Sequence, residues 1–188
     1  MGHFPPGTGG GEGIAHGRKG KGILIHRLTD AAAMPWSTRT TPANGDERAQ
    51  VLPLWEAFRI RTGKRGRPRQ RLKVLATDKW YDAKALRHRP RTRGSRPQIP
   101  TQVVNTKKPR GRPLKKDVPR FQAARTCAWF QRKYRRLVVR WERLVACFNA
   151  FLTIAVIHLW VHNMSFLTTR DMGASFVTFM DAPPTPPR

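Results

Sequence analysis

Acidic residues are scarce in this sequence. Asp and Glu together number 11 among 188 residues, against 37 Lys and Arg, which leaves a formal net charge of +26. A compact chain with that much positive charge repels itself unless a polyanion lies close by, and nucleic acid is the usual polyanion. Charge alone leaves one alternative partner open, the acidic surface of a membrane.

Cysteine is scarce as well, and no secretory signal is visible. Cys127 and Cys147 are too few for a disulfide scaffold and lie in apolar runs, which is typical of proteins of the reducing cytosol. The N-terminus has no apolar segment of the kind that a secretory signal needs. Hydrophobic residues make up 39% of the chain, which is enough for a folded core. The composition therefore predicts one cytoplasmic domain with tails, associated with the nucleoid through its charge.

The hydrophobic pattern separates a folded centre from two polar ends. Residues 1–22 are glycine-rich and basic and are predicted to be flexible, and residues 165–188, which end in PPTPPR, are predicted to form a disordered tail. Within 23–164, short strand patterns alternate with helical ones. Residues 101–118 are rich in Lys, Arg and Pro with almost nothing to bury, which predicts a solvated loop. The expected fold class is α/β, with a mixed α+β sheet and a long C-terminal helical region.

The strand patterns are short and apolar. Ile23–Thr29 is predicted to be a strand, and Ala33–Thr41 supplies a hairpin partner. Leu72–Thr77 is a compact apolar strand that ends at Asp78, and a further short strand is predicted at Ile99.

Helical spacing appears in three places. Val51, Leu52, Trp55, Phe58 and Ile60 fall near helical spacing, with Asp46 as the candidate cap. A basic helix is predicted from about Ala83, and residues 119–164 are helical throughout. Their most apolar part, 144–160, has 17 residues, short of the roughly 20 that span a bilayer. This run predicts a core helix and no membrane partner.

Two basic loops share the sequence Arg-Gly-Arg-Pro, at 65–68 and 110–113. The second resembles an AT-hook, in which two arginines enter the narrow minor groove and the glycine permits close approach. The alternative is a basic loop that contacts phosphates without reading bases, and both interpretations make the loops DNA contacts. The candidate DNA-binding residues are Lys64, Arg65, Arg67, Arg69, Arg71, Lys107, Lys108, Arg110, Arg112, Lys115, Lys116 and Arg120.

Asp78 is the candidate catalytic residue and metal ligand. It follows a predicted buried strand and precedes a basic helix, which is where several metal nucleases place a carboxylate ligand of Mg²⁺. Taken alone, the same position is also typical of a helix cap.

Six segments resemble the DDE-domain transposases of bacterial insertion sequences and follow that family's order from about residue 2 to 164. They include GGGEGIAHGRKGKG (9–22), VLATDKWYDAKALR (74–87), KKPRGRPLKKDVPRFQ (107–122) and FNAFLTIAVIHLW (148–160). The resemblance implies a ribonuclease H-like fold in which two Asp and one Glu hold two divalent metals. Such metals activate water, or a DNA 3′-hydroxyl, for attack on a phosphodiester.

The match is incomplete at the carboxylates. Asp78 matches the family's second Asp, but Met1 stands where the first Asp is expected and Ala124 stands at the position of the Glu. Trp80 replaces a usual glycine and Pro90 interrupts the predicted basic helix, so both are expected to destabilise the fold. The resemblance implies a DNA-binding, catalytically silent transposase relative with weak or absent Mg²⁺ binding. The alternative function is an AT-hook-like regulator. DNA is the expected partner, and a homo-oligomer or a complex with an intact transposase are both open.

Overall fold

A computed structural model describes residues 4–7, 10–60, 65, 66, 68, 70–101, 122–167 and 176–178. Its strands are β1 (Ala15–Gly17), β2 (Gly20–Asp30), β3 (Pro35–Pro42), β4 (Val74–Ala76), β5 (Arg96–Gln98) and β6 (Phe176–Thr178). Its helices are α1 (Val51–Ala57), α2 (Lys84–Thr92), α3 (Gln122–Lys133), α4 (Arg135–Val138) and α5 (Val145–Leu167), with a single 3₁₀ turn at Lys79–Tyr81.

The strands form one mixed sheet of order β1–β2–β6–β4–β5, with β3 also paired to β2. Strand β2 is antiparallel to each of its partners, whereas β4 is parallel to both β5 and β6. The predicted α/β class with a mixed sheet is confirmed.

The β2–β3 hairpin follows the sequence prediction. Its register pairs Ile23 with Pro42 and Leu28 with Ser37. The turn is held by Asp30, whose Oδ1 accepts hydrogen bonds from the backbone N–H groups of Ala32 and Met34, each at 2.9 Å. A carboxylate that accepts hydrogen bonds from the N–H groups of its own turn fixes the turn geometry, and the turn geometry sets the register of the two strands it connects.

Alternation along β2 places its side chains in two separate cores. Leu28 packs in a cluster with residues of α1 and α2, among them Trp55 and Leu86. Ile23 and Ile25 point the other way, into a cluster built by α3, α4 and α5. Successive side chains of a strand face opposite sides of a sheet, so the helices lie in two layers with the sheet between them.

The prediction of a disordered tail is wrong at the six residues of 165–188 that the structure describes. Phe176–Thr178 form β6, which lies between β2 and β4 rather than in a disordered segment. Phe, Val and Thr are residue types that favour strands, and a central position supplies backbone partners on both sides, so three residues are held as a strand. Residues 165–167 are the end of α5, and the rest of the predicted tail lies outside the described residues.

The N-terminal residues pair with the same strand. Pro6 forms an antiparallel bridge with Gly22, and the N–H of Gly7 donates to the carbonyl of Lys21 at 3.0 Å. Since β1 and β3 occupy the other edge of β2, this segment shares an edge of β2 with β6. The flexible segment predicted for 1–22 is therefore partly ordered, because its described residues pair with the sheet.

Helix α5 packs through one face only. Phe148, Leu152, Ala155 and Leu159 are buried at helical spacing, whereas Ile154 and Val161 are exposed. The prediction of a core helix is correct for the first face and wrong for the second. Val145–Asn163 is long and apolar enough to cross a membrane by length and composition, with 22% of it buried.

Two local predictions are corrected and a third is confirmed. Asp46 does not cap α1, because its Oδ1 accepts from the N–H of Arg48 within the preceding turn and Gln50 is the N-cap. Trp80 does not crowd its turn, since it lies in a 3₁₀ turn at negative φ with 45% of its side chain exposed. Pro90 does lie inside α2, as predicted, and is buried.

Candidate nucleic-acid interface around Asp78

Asp78 lies two residues beyond the end of β4, a strand whose three residues are all buried. It caps the 3₁₀ turn Lys79–Tyr81, and its Oδ1 accepts a hydrogen bond from the N–H of Lys79 at 2.7 Å. The carboxylate is half-buried. The sequence suggests that Asp78 is either a cap or a carboxylate ligand at the end of a buried strand. Its position is compatible with both, since the residue caps a turn and also follows the carboxyl end of a central strand.

The residues that follow Asp78 form one wall of a cleft of about 760 Å³. Trp80 and Tyr81 line this wall, and the β1–β2 turn and the loop at 43–48 line the others. Gly17 lets the turn approach the loop, because a Cβ there would lie 2.1 Å from the carbonyl oxygen of Ala43. The two backbones therefore lie close together where the turn meets the loop.

Two hydrogen bonds join the loop at 43–48 to the 3₁₀ turn. The guanidinium Nε of Arg48 donates to the carbonyl oxygen of Trp80 at 2.6 Å. The buried hydroxyl of Tyr81 donates to Oε2 of Glu47 at 3.0 Å. Burial raises the pKa of Tyr81 well above its usual value, and the neighbouring Glu47 carboxylate raises it further. The hydroxyl therefore stays protonated and remains a donor.

Cations surround the mouth of the cleft. Arg18, Lys19 and Arg48 are exposed residues of its lining, and the indole of Trp80 is exposed beside them. Of the two acidic lining residues, Asp46 accepts from the N–H of Arg48 and Glu47 from Tyr81. The arrangement offers positive charge and an aromatic surface together, the combination that binds an unpaired or distorted nucleic-acid strand.

The described residues do not fit a divalent-metal site at Asp78. No group of three His, Cys, Asp or Glu side chains within them is placed to hold a metal ion. Ala124 lies in the first turn of α3 and brings no oxygen ligand, while Met1 lies outside the described residues. A two-metal reaction needs carboxylates from several elements around both ions.

The predicted DNA-binding loops are described only in part. Arg65 is exposed, and Arg71 donates through Nε and Nη2 to the carbonyl oxygen of Gly94 at 3.3 and 3.1 Å. Arg71 therefore also anchors the chain beside the end of α2. The remaining candidates lie outside the described residues: Lys64, Arg67, Arg69, Lys107, Lys108, Arg110, Arg112, Lys115, Lys116 and Arg120.

Three buried basic side chains were not anticipated from the sequence. Arg27 donates to the sulfur of Cys127, and Arg140 donates to the carbonyl oxygens of Glu142 and Arg143 at 2.9 and 3.2 Å. Burial lowers the pKa of Arg140 from its usual value.

His26 is the third of these side chains, and its Nε2 lies 2.6 Å from Oγ1 of Thr41. The continuous apolar run Ile23–Ile25 directly before His26 was the available signal, because such a run is typical of a strand buried on both faces, which buries its polar residues too.

Comparisons with known proteins give one relative. No protein-family model and no solved structure matches the chain. A protein of Burkholderia cepacia, assigned as a transposase for insertion sequence element IS402, is 36% identical over 133 residues. The alignment covers 71% of this chain, which thus spans about 60% of the length of that relative. The shared sequence places the chain in the family of insertion-sequence transposases.

Proposed function

We propose that this protein binds DNA through the cleft beside Asp78 and does not cleave it. The observation that carries the proposal is the grouping of Arg18, Lys19 and Arg48 around an exposed Trp80 at the end of a central strand. Cations neutralise phosphates, and an exposed indole stacks on a base. The net charge of +26 supplies attraction over a longer range.

The fold that we propose is ribonuclease H-like. A mixed sheet with helices on both faces supports it, as does a carboxylate at the carboxyl end of β4. Membership in the transposase family also indicates that the substrate is DNA, since the Burkholderia relative is named for an insertion sequence element. The site of action is then the cytoplasm, where the chromosome of a bacterium lies.

We propose that the chain does not cleave DNA because it lacks the carboxylates that would hold the metal ions. Asp78 is one ligand where the chemistry requires several, and Ala124 has no group that coordinates a metal ion. Mg²⁺ binding at Asp78 alone is therefore proposed to be weak. The chain is therefore proposed to bind DNA without cleaving it, alone or in a complex with an intact transposase.

Binding is tested by titrating a duplex and a single strand over a range of salt concentrations. If six or more phosphates are contacted, the slope of log K against log salt is about −5 or steeper. Arg18→Gln with Lys19→Gln should flatten the slope by about 2, because two phosphate contacts are lost.

The matched control is Arg132→Gln with Lys133→Gln, which removes the same charge from exposed residues of α3, on the opposite face of the sheet. Equal effects of the two pairs would show that net charge, and not the cleft, governs binding.

Silence is tested with supercoiled DNA and Mg²⁺ or Mn²⁺. The unmodified chain should not nick the DNA, and Ala124→Glu alone should not restore nicking, since groups that act as a unit fail singly. Nicking that disappears in Asp78→Ala would mean that other residues complete the site.

A second candidate function is an AT-hook-like regulator. Gly66 favours it, because this exposed residue has φ of +133° and nothing lies within 4 Å of where a Cβ would stand. The backbone is thus open to a groove at this point. Competition between A·T-rich and G·C-rich duplexes separates the two functions, since only minor-groove readout predicts a preference for A·T.

A further inference from the structure

The outward face of α5 and the residues just before it carry a continuous apolar surface. Ile154 is 60% exposed and Val161 64% exposed, although both are large and apolar. We call this surface the α5 stripe, and its large side chains are Trp141, Leu144, Phe151, Ile154, Ile157 and Val161. Soluble monomers rarely expose so many large apolar side chains side by side.

The α5 stripe is not needed for the core of the domain. The sheet-facing side of α5 buries Phe148, Leu152, Ala155 and Leu159, at intervals of four, three and four residues. These four residues project from the side of the helix opposite Ile154, because each residue turns the direction by about 100°. The helix is therefore docked already, and a second apolar face is left over.

We propose that the α5 stripe is the surface through which two copies of this chain associate. The charge distribution selects a second copy. The chain carries +26, so most contacts between copies oppose Lys or Arg to like charge, whereas α5 contains no Asp, Glu, Lys or Arg in its 23 residues. Arg136 lies at the border of the stripe, with its guanidinium 5.6 Å from the Phe151 ring, and its charge is paired with Glu142 at 3.1 Å.

The exposed area suffices for a specific contact. Six large apolar side chains at these exposures present on the order of 600 Å² per copy, so a pair buries about 1,200 Å², the lower end of specific interfaces. A bilayer is the weaker choice of occupant, because spanning it would pull Phe148, Leu152 and Ala155 out of the core that they build with β2 and the other helices.

A twofold pair of antiparallel helices fits the pattern of the stripe. Ile154 stands seven positions from Cys147 and seven from Val161. In an antiparallel pair centred on Ile154, Cys147 of one copy therefore lies opposite Val161 of the other, as an isologous contact requires. Cys147 is exposed and reduced, so it serves as a built-in reporter of this register.

The experiment is sedimentation equilibrium of the full chain after nuclease treatment, in about 0.5 M salt, which screens charge repulsion and bridging by DNA. The wild type should form a dimer at micromolar concentration. Ile154→Glu should raise the dissociation constant roughly 100-fold, because each copy brings a charge into an apolar contact. Ala49→Glu is the control, since Ala49 is exposed and lies outside α5.

Cross-linking then tests the register. Val161→Cys should form a disulfide-linked dimer with native Cys147 under mild oxidation, and Val161→Ser should not. A monomeric wild type overturns the proposal, as does a dimer that Ile154→Glu leaves intact. Co-sedimentation of a monomer with neutral phosphatidylcholine vesicles that Ile154→Glu abolishes would assign the stripe to a membrane instead. None of these readouts depends on whether the cleft beside Asp78 binds DNA.

Discussion

The buried histidine of β2 makes the stability of the fold depend on pH. His26 is 1% exposed, its Nε2 is bonded to Thr41, and its Nδ1 has no hydrogen-bond partner among the described residues. Burial lowers the pKa of His26 from 6.5 to about 4, and the nearby Arg27 and Arg39 add to this effect while Glu47 opposes it. The folded protein therefore holds a neutral imidazole where the unfolded chain binds a proton.

The sign of the effect follows from proton linkage. Between pH 6.5 and about 4 the unfolded chain binds more protons at this site, so the free energy of unfolding falls as the pH falls. From pH 7 to pH 5 the loss is about 2 kcal/mol, and it levels off at about 3 kcal/mol below pH 4. This loss is a large share of the free energy of unfolding of a typical domain, which is roughly 5–15 kcal/mol.

Urea unfolding at several pH values measures this loss in the wild type and in His26→Gln, which cannot take up a proton. The difference between the two proteins isolates His26 from the carboxylates. Asp30 makes this subtraction necessary, because burial raises its pKa and so favours the folded state as the pH falls. If His26→Gln loses as much stability as the wild type between pH 7 and pH 5, the histidine is not held neutral and the reasoning fails.

Three further substitutions test the fold around the cleft. Pro90→Leu should raise the melting temperature, because it restores a backbone donor inside α2 and keeps an apolar side chain at a buried position; a lower melting temperature would contradict this. Trp80→Gly should lower the free energy of unfolding by about 0.5–1 kcal/mol, since it frees the unfolded backbone and relieves no strain. Tyr81→Phe should lower it by about 1 kcal/mol through loss of the bond to Glu47. A double-mutant cycle with Glu47→Gln checks that assignment, because the two changes should not add.

The sequence predicted those elements whose signal is local. Short strand patterns located the hairpin of β2 and β3, and a compact apolar run located β4 with Asp78 at its end. Helical spacing located α1, and the positions of α2 and β5 were correct within a few residues. Each of these depends on residues close together in the chain, which is why pattern alone was sufficient.

The features that sequence missed depend on distant partners. Strand β6 owes its place to backbone groups of β2 and β4, more than 100 residues away. Its residues Phe, Val and Thr favour strands, but a run of three is too short for the pattern alone to predict a strand. On α5 both faces are apolar, so the pattern could not tell which one packs on the sheet. The sequence predicted Asp78 as the catalytic candidate and two basic loops as DNA contacts, but it did not predict the cleft, which brings Trp80 and Tyr81 to the β1–β2 turn and the loop at 43–48 only in three dimensions.

Two segments that are far apart in the sequence pair with the same edge of β2, and this arrangement suits the fold to circular permutation. Pro6 pairs with Gly22 and Thr178 with Thr29, seven positions apart on β2, and both segments run antiparallel to that strand. A linker of about six extended residues, at roughly 3.4 Å each, would join Thr178 to Pro6 as one continuous strand. The chain can then be closed into a ring and reopened in a surface loop, such as the turn after β3. In that circular permutant one edge of β2 would pair with a single uninterrupted strand made of β6, the linker and the segment at Pro6.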